Sequence, residues 1–337
     1  MITWQQIKYE VRDLPLTMRH IVRPFLQARK AGRDLKHEGG PARGAGDLVA
    51  VTPYYGNEPL LGAFLAHHRQ LGVENYVVLD LSPDGKAASI LAGEPNCAVW
   101  RPRVPGTRKA MLWLNYLRWR YGTGRWVLSL EPCEFLIFHK SETRKLRDLM
   151  EFVSGERRDH VFAIAIEMYG DRPAEQLSLA PGQRPVELLP YFDPTGYVTS
   201  EPGLFFHTTV RGGPQRRALY GARAPALNRV PLVKWRWFYN YAAGTRLLMP
   251  RRVNRPHAPW HTTPTACLLR FASLNDPATL HRAAEAESFE LVKDGGGASY
   301  PVEARLRVMS LKTDISTRFT GSEDLVEAGL LNPGQWF

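Results

Sequence analysis

Four groups of polar residues in this chain follow apolar runs at intervals that a binding site would need. Asn57-Glu58 come shortly after a run that contains Thr52, and Asp80-Leu81-Ser82-Pro83-Asp84-Gly85 close a second run. Glu131-Pro132-Cys133-Glu134 close a third, just after Trp126, and Arg270 stands inside Leu268-Leu269-Arg270-Phe271. Carboxylates held at strand ends accept hydrogen bonds from the imino group of a base and the hydroxyls of a ribose. A departing diphosphate gains negative charge at its transition state, which calls for a metal ion or fixed cations. Glu131 and Glu134 are the hard oxygen donors that manganese or magnesium would use. Arg270 is the fixed cation. Glu167, at the end of a strongly apolar run, is placed to take a proton from an attacking hydroxyl, with Glu134 as a second catalytic carboxylate. The set fits a nucleotide sugar.

Each of these residues also has a plain structural use. Asp80 and Asp84 suit turns and helix starts, where aspartate is favoured. Asn57-Glu58 precede Pro59, a residue common in the first helical turn. Glu131 and Glu134 read equally as a solvated loop pair. An arginine inside an apolar strand needs an acid or a phosphate, since an unpaired buried charge is costly; Glu131 or Glu134 would serve. His67, His68, His207, His257 and His261 have neither metal-site nor triad spacing.

The elements that must position these groups alternate between strand and helix. Leu48–Thr52, Tyr76–Leu81, Cys97–Trp100 and Trp126–Leu130 read as buried strands. Between them lie a helix from Pro59 to Gly72, with Leu60, Leu61, Phe64, Leu65, His68 and Leu71 on one face, a short one from Asp84, and another over Lys109–Tyr121. Helix Glu142–Val153, strands Val161–Met168 and Ala266–Ala272, and helix Pro277–Glu287 follow. Such alternation predicts an α/β fold with a mostly parallel central sheet, flanking helices and ligands at the strands' C-terminal ends. Residues 1–46 read as a basic amphipathic helix and a linker, and 47–337 as the main domain, with a nucleotide-binding half (47–140) and an acceptor half (141–337). In the helix Leu16–Ala31 the apolar residues Met18, Ile21, Val22, Phe25 and Leu26 make a stripe, with Arg19, Arg23, Arg29 and Lys30 around it. It either packs on the domain or lies on an anionic membrane surface.

Among 337 residues 44% are hydrophobic, which is a globular composition. No apolar run reaches the length of a membrane span. Cys97, Cys133 and Cys267 are too scattered for a disulfide framework or a metal knuckle. The expectation is a cytoplasmic protein, peripheral to the inner membrane face if its first helix binds there. A net charge of +11 points to anionic partners, but no helix-turn-helix, zinc-finger or RNP signature supports nucleic acid.

The order of these motifs resembles the family 2 glycosyltransferases. Val51 to Gly85, with Asn57-Glu58, Phe64-Leu65-Ala66-His67-His68, Leu71-Gly72-Val73 and Asp80-x-Ser82-x-Asp84-Gly85, is similar to the opening of that family. Trp113 to Phe138 is similar to the segment carrying its Asp-x-Asp-Glu motif. The resemblance runs on through Glu167-Met168-Tyr169, Arg211-Gly212-Gly213 and Leu268–Phe271 to Glu323–Leu330, and so covers about residues 48–330. It implies a GT-A fold and glycosyl transfer from a nucleotide-diphosphate sugar to a glycan or lipid-linked acceptor, with a divalent metal. On it, Thr52, Asn57, Glu58, Asp80, Asp84, Glu131 and Arg270 hold the donor. Three departures matter. The Asp-x-Asp-Glu motif is Glu131-x-Cys133-Glu134 here, Arg270 replaces a histidine able to ligate the metal, and Leu81 replaces an asparagine. A guanidinium repels a cation and a thiol shifts metal preference, so transfer without metal and loss of catalysis are both open.

Overall fold

The computed structural model describes residues 22–41, 46–200, 209–254, 263–287 and 300–336. Its main sheet holds nine strands: β1 (Leu35–Gly39), β2 (Leu48–Tyr54), β3 (Tyr76–Asp80), β4 (Cys97–Pro102), β5 (Trp126–Ser129), β6 (Glu134–Phe138), β7 (His160–Glu167), β8 (Asn228–Lys234) and β9 (Ala266–Arg270). They lie in the order β1-β4-β3-β2-β5-β8-β7-β9-β6. Six run one way, and β1, β6 and β8 run against them. The helices used below are α1 (Glu58–Gln70), α2 (Ala87–Ile90), α3 (Ala110–Gly122), α4 (Leu146–Gly155), α5 (Pro277–Glu287) and α6 (Tyr300–Arg307). The α/β class and mostly parallel sheet expected from the sequence are what is observed.

Every residue of β2, β3, β5 and β7 is buried, as happens when helices cover both faces of a sheet. The two-residue period of a strand divides them between two cores. Ala50, Tyr76, Val78 and Leu128 pack with Leu60, Leu61, Phe64 and Leu65 of α1. Val49, Val51, Val77, Leu79 and Val127 pack with Met111, Trp113, Leu114 and Leu117 of α3 on the other face. This division follows from the path of the chain. It steps outward from β2 to β3 and β4 through α1 and α2, then returns through α3 to β5 on the other side of β2. Right-handed crossovers in opposite directions put their helices on opposite faces. The strand order therefore reverses between β2 and β5, and the crevice at their C-terminal ends is where such sheets hold ligands.

Local chemistry sets the boundaries. Asn57 caps α1, its Oδ1 accepting the Leu60 N–H at 3.2 Å, with Pro59 in the first turn. Gly72, at φ +91°, ends the following turn in a conformation glycine tolerates best. Three strands of this sheet were not read as strands from the sequence: β6, which follows β5 after four residues, β1 and β8. β1 lies in the stretch read as helix and linker, yet it joins the sheet edge, antiparallel to β4. β8 contains Pro231 in mid-sheet, and its pairing with β7 shifts register between Arg229 and Leu232; a bulge is how a central strand accommodates proline.

Residues 22–31 are helical, and the rest of the expected first helix lies outside the described residues. Phe25 packs on Trp119 at 4.8 Å and Trp237 at 6.5 Å, whereas Val22 and Leu26 are exposed. Among the described residues no helix is long and apolar enough to cross a membrane.

His68 carries a pH dependence. Its Nδ1–H donates to the Phe64 carbonyl at 2.8 Å and its Nε2 accepts the Leu136 N–H at 3.4 Å, so the buried ring is neutral. Burial, reinforced by neighbouring His67, holds its pKa well below the ordinary histidine value against the Phe64 bond. The unfolded chain takes up that proton near about pH 6.5 while the folded one does not. The stability His68 contributes is thus present above that pH and lost as pH falls, by up to about 1.4 kcal/mol per pH unit. Thermal midpoints should drop between pH 7.5 and pH 5, and His68→Gln should flatten the slope; identical slopes would remove His68 as the cause.

Candidate functional site

Strand register brings the expected residues to one edge of the sheet. Tyr54 of β2 is level with Asp80 of β3, so the Asn57 loop and the Asp80–Gly85 loop emerge side by side. Glu131 follows the end of β5. Farther across, parallel pairing sets Arg270 of β9 beside Glu167 of β7, and antiparallel pairing sets it beside Glu134 of β6. Three neighbouring strands thus present carboxylate, guanidinium and carboxylate at the same level.

The side chains meet there in a buried ion network. Arg270 Nη1 lies 2.7 Å from Glu167 Oε1 and 2.6 Å from Glu303 Oε1 of α6, and its Nε lies 3.9 Å from Glu134 Oε1. Arg229 Nε of β8 approaches the same Glu134 oxygen at 3.7 Å, and Gln215 Nε2 donates to Glu167 at 2.8 Å. Arg270, Glu134, Glu167 and Glu303 are only 3–6% exposed. Burial works against the Arg270 charge, but Glu303 and Glu167, with Glu131 behind them, more than offset it and hold its pKa well above the ordinary value. The sequence suggested Glu131 or Glu134 as its partner; Glu134 is one, at the longest distance. Glu303, Arg229 and Gln215 were not foreseen, because nothing local to their segments distinguishes them from surface residues.

The Glu131–Glu134 loop is closed on itself. The Glu131 N–H donates to Glu134 Oε2 at 3.0 Å, the Glu134 N–H returns to the Glu131 carbonyl at 2.9 Å, and Cys133 Sγ lies 3.5 Å from Glu131 Oε2. Burial, then the charge of Glu131, pushes the Cys133 thiol well above its ordinary pKa against the pull of Arg270, so it stays protonated. A protonated thiol and a guanidinium among the carboxylates do not make a divalent cation site. Among the described residues no three His, Cys, Asp or Glu side chains are grouped to hold a metal ion.

The other donor-side residues divide by exposure. Thr52 is wholly buried, its hydroxyl turned to the Pro53 carbonyl at 3.2 Å. Asp80 is buried too: its Oδ1 accepts from the Ser82 N–H at 2.9 Å and hydroxyl at 2.6 Å, and its Oδ2 from the Ala87 N–H that opens α2 at 3.1 Å. Asn57, besides capping α1, donates to Asn275 Oδ1 at 3.0 Å. Glu58 and Asp84 are exposed, Asp84 lying 3.2 Å from Lys86. The Tyr54 hydroxyl lies among them: burial, then Asp84, Asp80 and Glu58, raises its pKa above the ordinary tyrosine value. Arg282 of α5 reaches across to the Tyr55 carbonyl at 3.0 Å. Glu58 and Asp84 are exposed at this edge, and Glu131 is half-buried.

No family model matches the chain, and no curated protein matches it. Among solved structures, a mannosyltransferase from Pyrobaculum calidifontis in complex with GDP-mannose and manganese is 17% identical, over 47% of this chain and 47% of that one, with a TM-score of 0.26. A 4-diphosphocytidyl-2C-methyl-D-erythritol synthase is 18% identical, over 41% of this chain and 70% of that one, with a TM-score of 0.23. The chain thus spans about half the length of the mannosyltransferase it matches. At these TM-scores neither likeness bears on what the chain does.

Removing Arg270 leaves Glu167 and Glu303 buried without their cation. Arg270→Met should cost about 3–5 kcal/mol in urea unfolding at pH 7.5. Unpaired buried carboxylates have raised pKa values, so stability lost as pH rises is recovered in acid. The deficit against wild type should therefore narrow at pH 5. A variant as stable as wild type at pH 7.5 would show that Arg270 does not hold this network.

Proposed function

We propose that this protein is a glycosyltransferase that takes a sugar from a nucleotide-diphosphate donor, with inversion and without a divalent metal, and delivers it to a glycan or lipid-linked acceptor. The observation that carries the reading is the placement of Arg270. It stands between Glu134 and Glu167, in the segment where the resembled family keeps a residue able to ligate metal. In this reading the nucleotide lies in the crevice beyond β2 and β5, near Asn57, Glu58 and Asp84. The diphosphate extends toward Arg270, whose guanidinium stabilises it as it departs. Arginine suits the task because its planar fork offers paired donors to phosphate oxygens. Glu167, 2.7 Å from that guanidinium, takes the proton from the acceptor hydroxyl as it attacks the anomeric carbon. The exposed Val22 and Leu26, close in sequence to Arg23, Arg29 and Lys30, support peripheral contact with an anionic membrane, where a lipid-linked acceptor would be met.

A second reading has its own observation. Glu167 Oε1 already accepts from both Arg270 Nη1 and Gln215 Nε2, at 2.7 and 2.8 Å, which suits a chain that binds a nucleotide sugar and no longer transfers it.

Thermal shift against nucleoside diphosphates and their sugars, followed by donor turnover with and without EDTA, separates the two. A ligand at 100 times its Kd should stabilise the protein by about 2.7 kcal/mol. Turnover should survive EDTA, and Glu167→Gln should lower kcat at least about 100-fold while leaving nucleotide affinity in place. Binding without turnover for any donor establishes the second reading. Turnover that EDTA abolishes and manganese restores would remove Arg270 from the metal's role.

A further inference from the structure

The loop from β4 into α3 borders a cavity of about 560 Å³ that the donor reading does not use. Its walls come from three places: Arg103, Thr107, Arg108, Lys109 and Trp113 from this loop and helix, Arg33 and Asp34 from the turn before β1, and Glu285 from the last turn of α5. β3 separates β4 from β2, so the cavity lies two strand spacings, roughly 10 Å, to the side of the switch point.

The charges of this cavity do not balance. Asp34 is engaged by Lys109 Nζ at 2.8 Å, and Glu285 accepts the hydroxyl of buried Thr107. Arg33, Arg103 and Arg108 have no carboxylate partner among the described residues, although all three border the same space. α3 starts here without a side-chain cap and without an acid in its first turn. Its first N–H, of Ala110, donates to the Thr107 carbonyl at 2.8 Å, and the positive end of its dipole adds to the field of the arginines. Trp113 lines the cavity while only 4% exposed, and its Nε1 donor has no hydrogen-bond partner. Three like charges and an uncapped helix end around one cavity repel each other, and an anion relieves the repulsion. The forked donors of arginine fit phosphate oxygens, and a group with two or more negative charges answers three guanidinium groups better than a lone carboxylate does.

We propose that this cavity is a second binding site, for a phosphate-bearing group, separate from the crevice at β2 and β5. The group belongs either to a free phosphorylated molecule or to a lipid headgroup, since both present the same oxygens. The site holds whether or not the protein transfers a sugar.

Isothermal titration with inorganic pyrophosphate tests the first source. Co-sedimentation with phosphatidylcholine vesicles, with and without phosphatidic acid, tests the second. The combined variant Arg33→Gln, Arg103→Gln, Arg108→Gln changes exposed side chains only. It should weaken whichever interaction is found by about 30-fold or more. A control with the same loss of charge elsewhere on the surface, Arg147→Gln, Arg172→Gln, Arg184→Gln, should stay within about threefold of wild type, since screening mutes distant charges. Loss in the first variant and not in the control supports the site, and the arm that responds names the source. The proposal is overturned if wild type takes up neither probe, or if the two variants behave alike. It is also overturned if the cavity variant loses nucleoside diphosphate binding together with pyrophosphate, because the cavity would then be part of the donor site.

Discussion

A guanidinium buried in the middle of a sheet must find negative charge close by, and Arg270 draws four segments of the chain together to do so. Its strand neighbours supply Glu134 and Glu167, α6 supplies Glu303, and β8 adds a second arginine against Glu134. Because three carboxylates face two guanidinium groups, the positions depend on one another: moving any one leaves a charge in low dielectric, which costs more than a lost surface pair. α6 follows the sheet in sequence by some distance, yet its place is set by this contact and by Arg307, which donates to the Ser273 and Asn275 carbonyls at 3.1 and 2.6 Å. Asn275 in turn holds Asn57, so the ion network is linked to the start of α1 and to the loop that follows β2.

The same network explains why a divalent ion is a poor fit. A metal site needs oxygen ligands whose negative charge is not already matched. Here Glu134 and Glu167 are matched by Arg229 and Arg270, and Cys133, between Glu131 and Glu134, is a thiol held in its neutral form by burial. Two guanidinium groups answer most of the negative charge of three carboxylates, and Arg270 is shared between Glu167 and Glu303. Fixed cations serve developing phosphate charge in the same way as a metal, provided the substrate reaches them.

The α/β alternation was legible because β2, β3 and β5 are continuous apolar runs and α1 keeps its 3.6-residue stripe. These features are local, and they placed Asn57, Asp80 and Glu131 at one edge without reference to the rest of the chain. What was not legible depended on distant partners. β8 hides behind Pro231, and its pairing is visible only once β5 and β7 flank it. Glu303 stands in an ordinary charged helix, and its burial is decided by Arg270, which is 33 residues earlier. Asp80 illustrates the opposite case. The sequence allowed either a ligand carboxylate or a turn cap, and its three accepted hydrogen bonds favour the cap; the loop it shapes carries Asp84 out to solvent instead.

Arg118 shows how the switch point itself is held. It lies on α3, the crossover that reverses the strand order, and is 3% exposed, but it is stabilised by neutral groups. Nε donates to Ser129 Oγ at the end of β5 at 2.9 Å, Nη1 donates to Asn115 Oδ1 at 3.2 Å, and the guanidinium stacks 4.7 Å from the Tyr241 ring. Burial lowers its pKa to about 10, against the favourable influence of Tyr241 and Tyr55, so it remains charged at neutral pH. Asn115 also exchanges both of its amide bonds with the backbone of Tyr241, at 2.9 and 3.0 Å. An apolar contact between α3 and the sheet would allow sliding, since hydrophobic burial is not directional. These polar groups are satisfied in one register only, and leaving them unmade in the core would cost more than the bonds gain. The crossover is thereby fixed relative to the end of β5, beside the point where the strand order reverses.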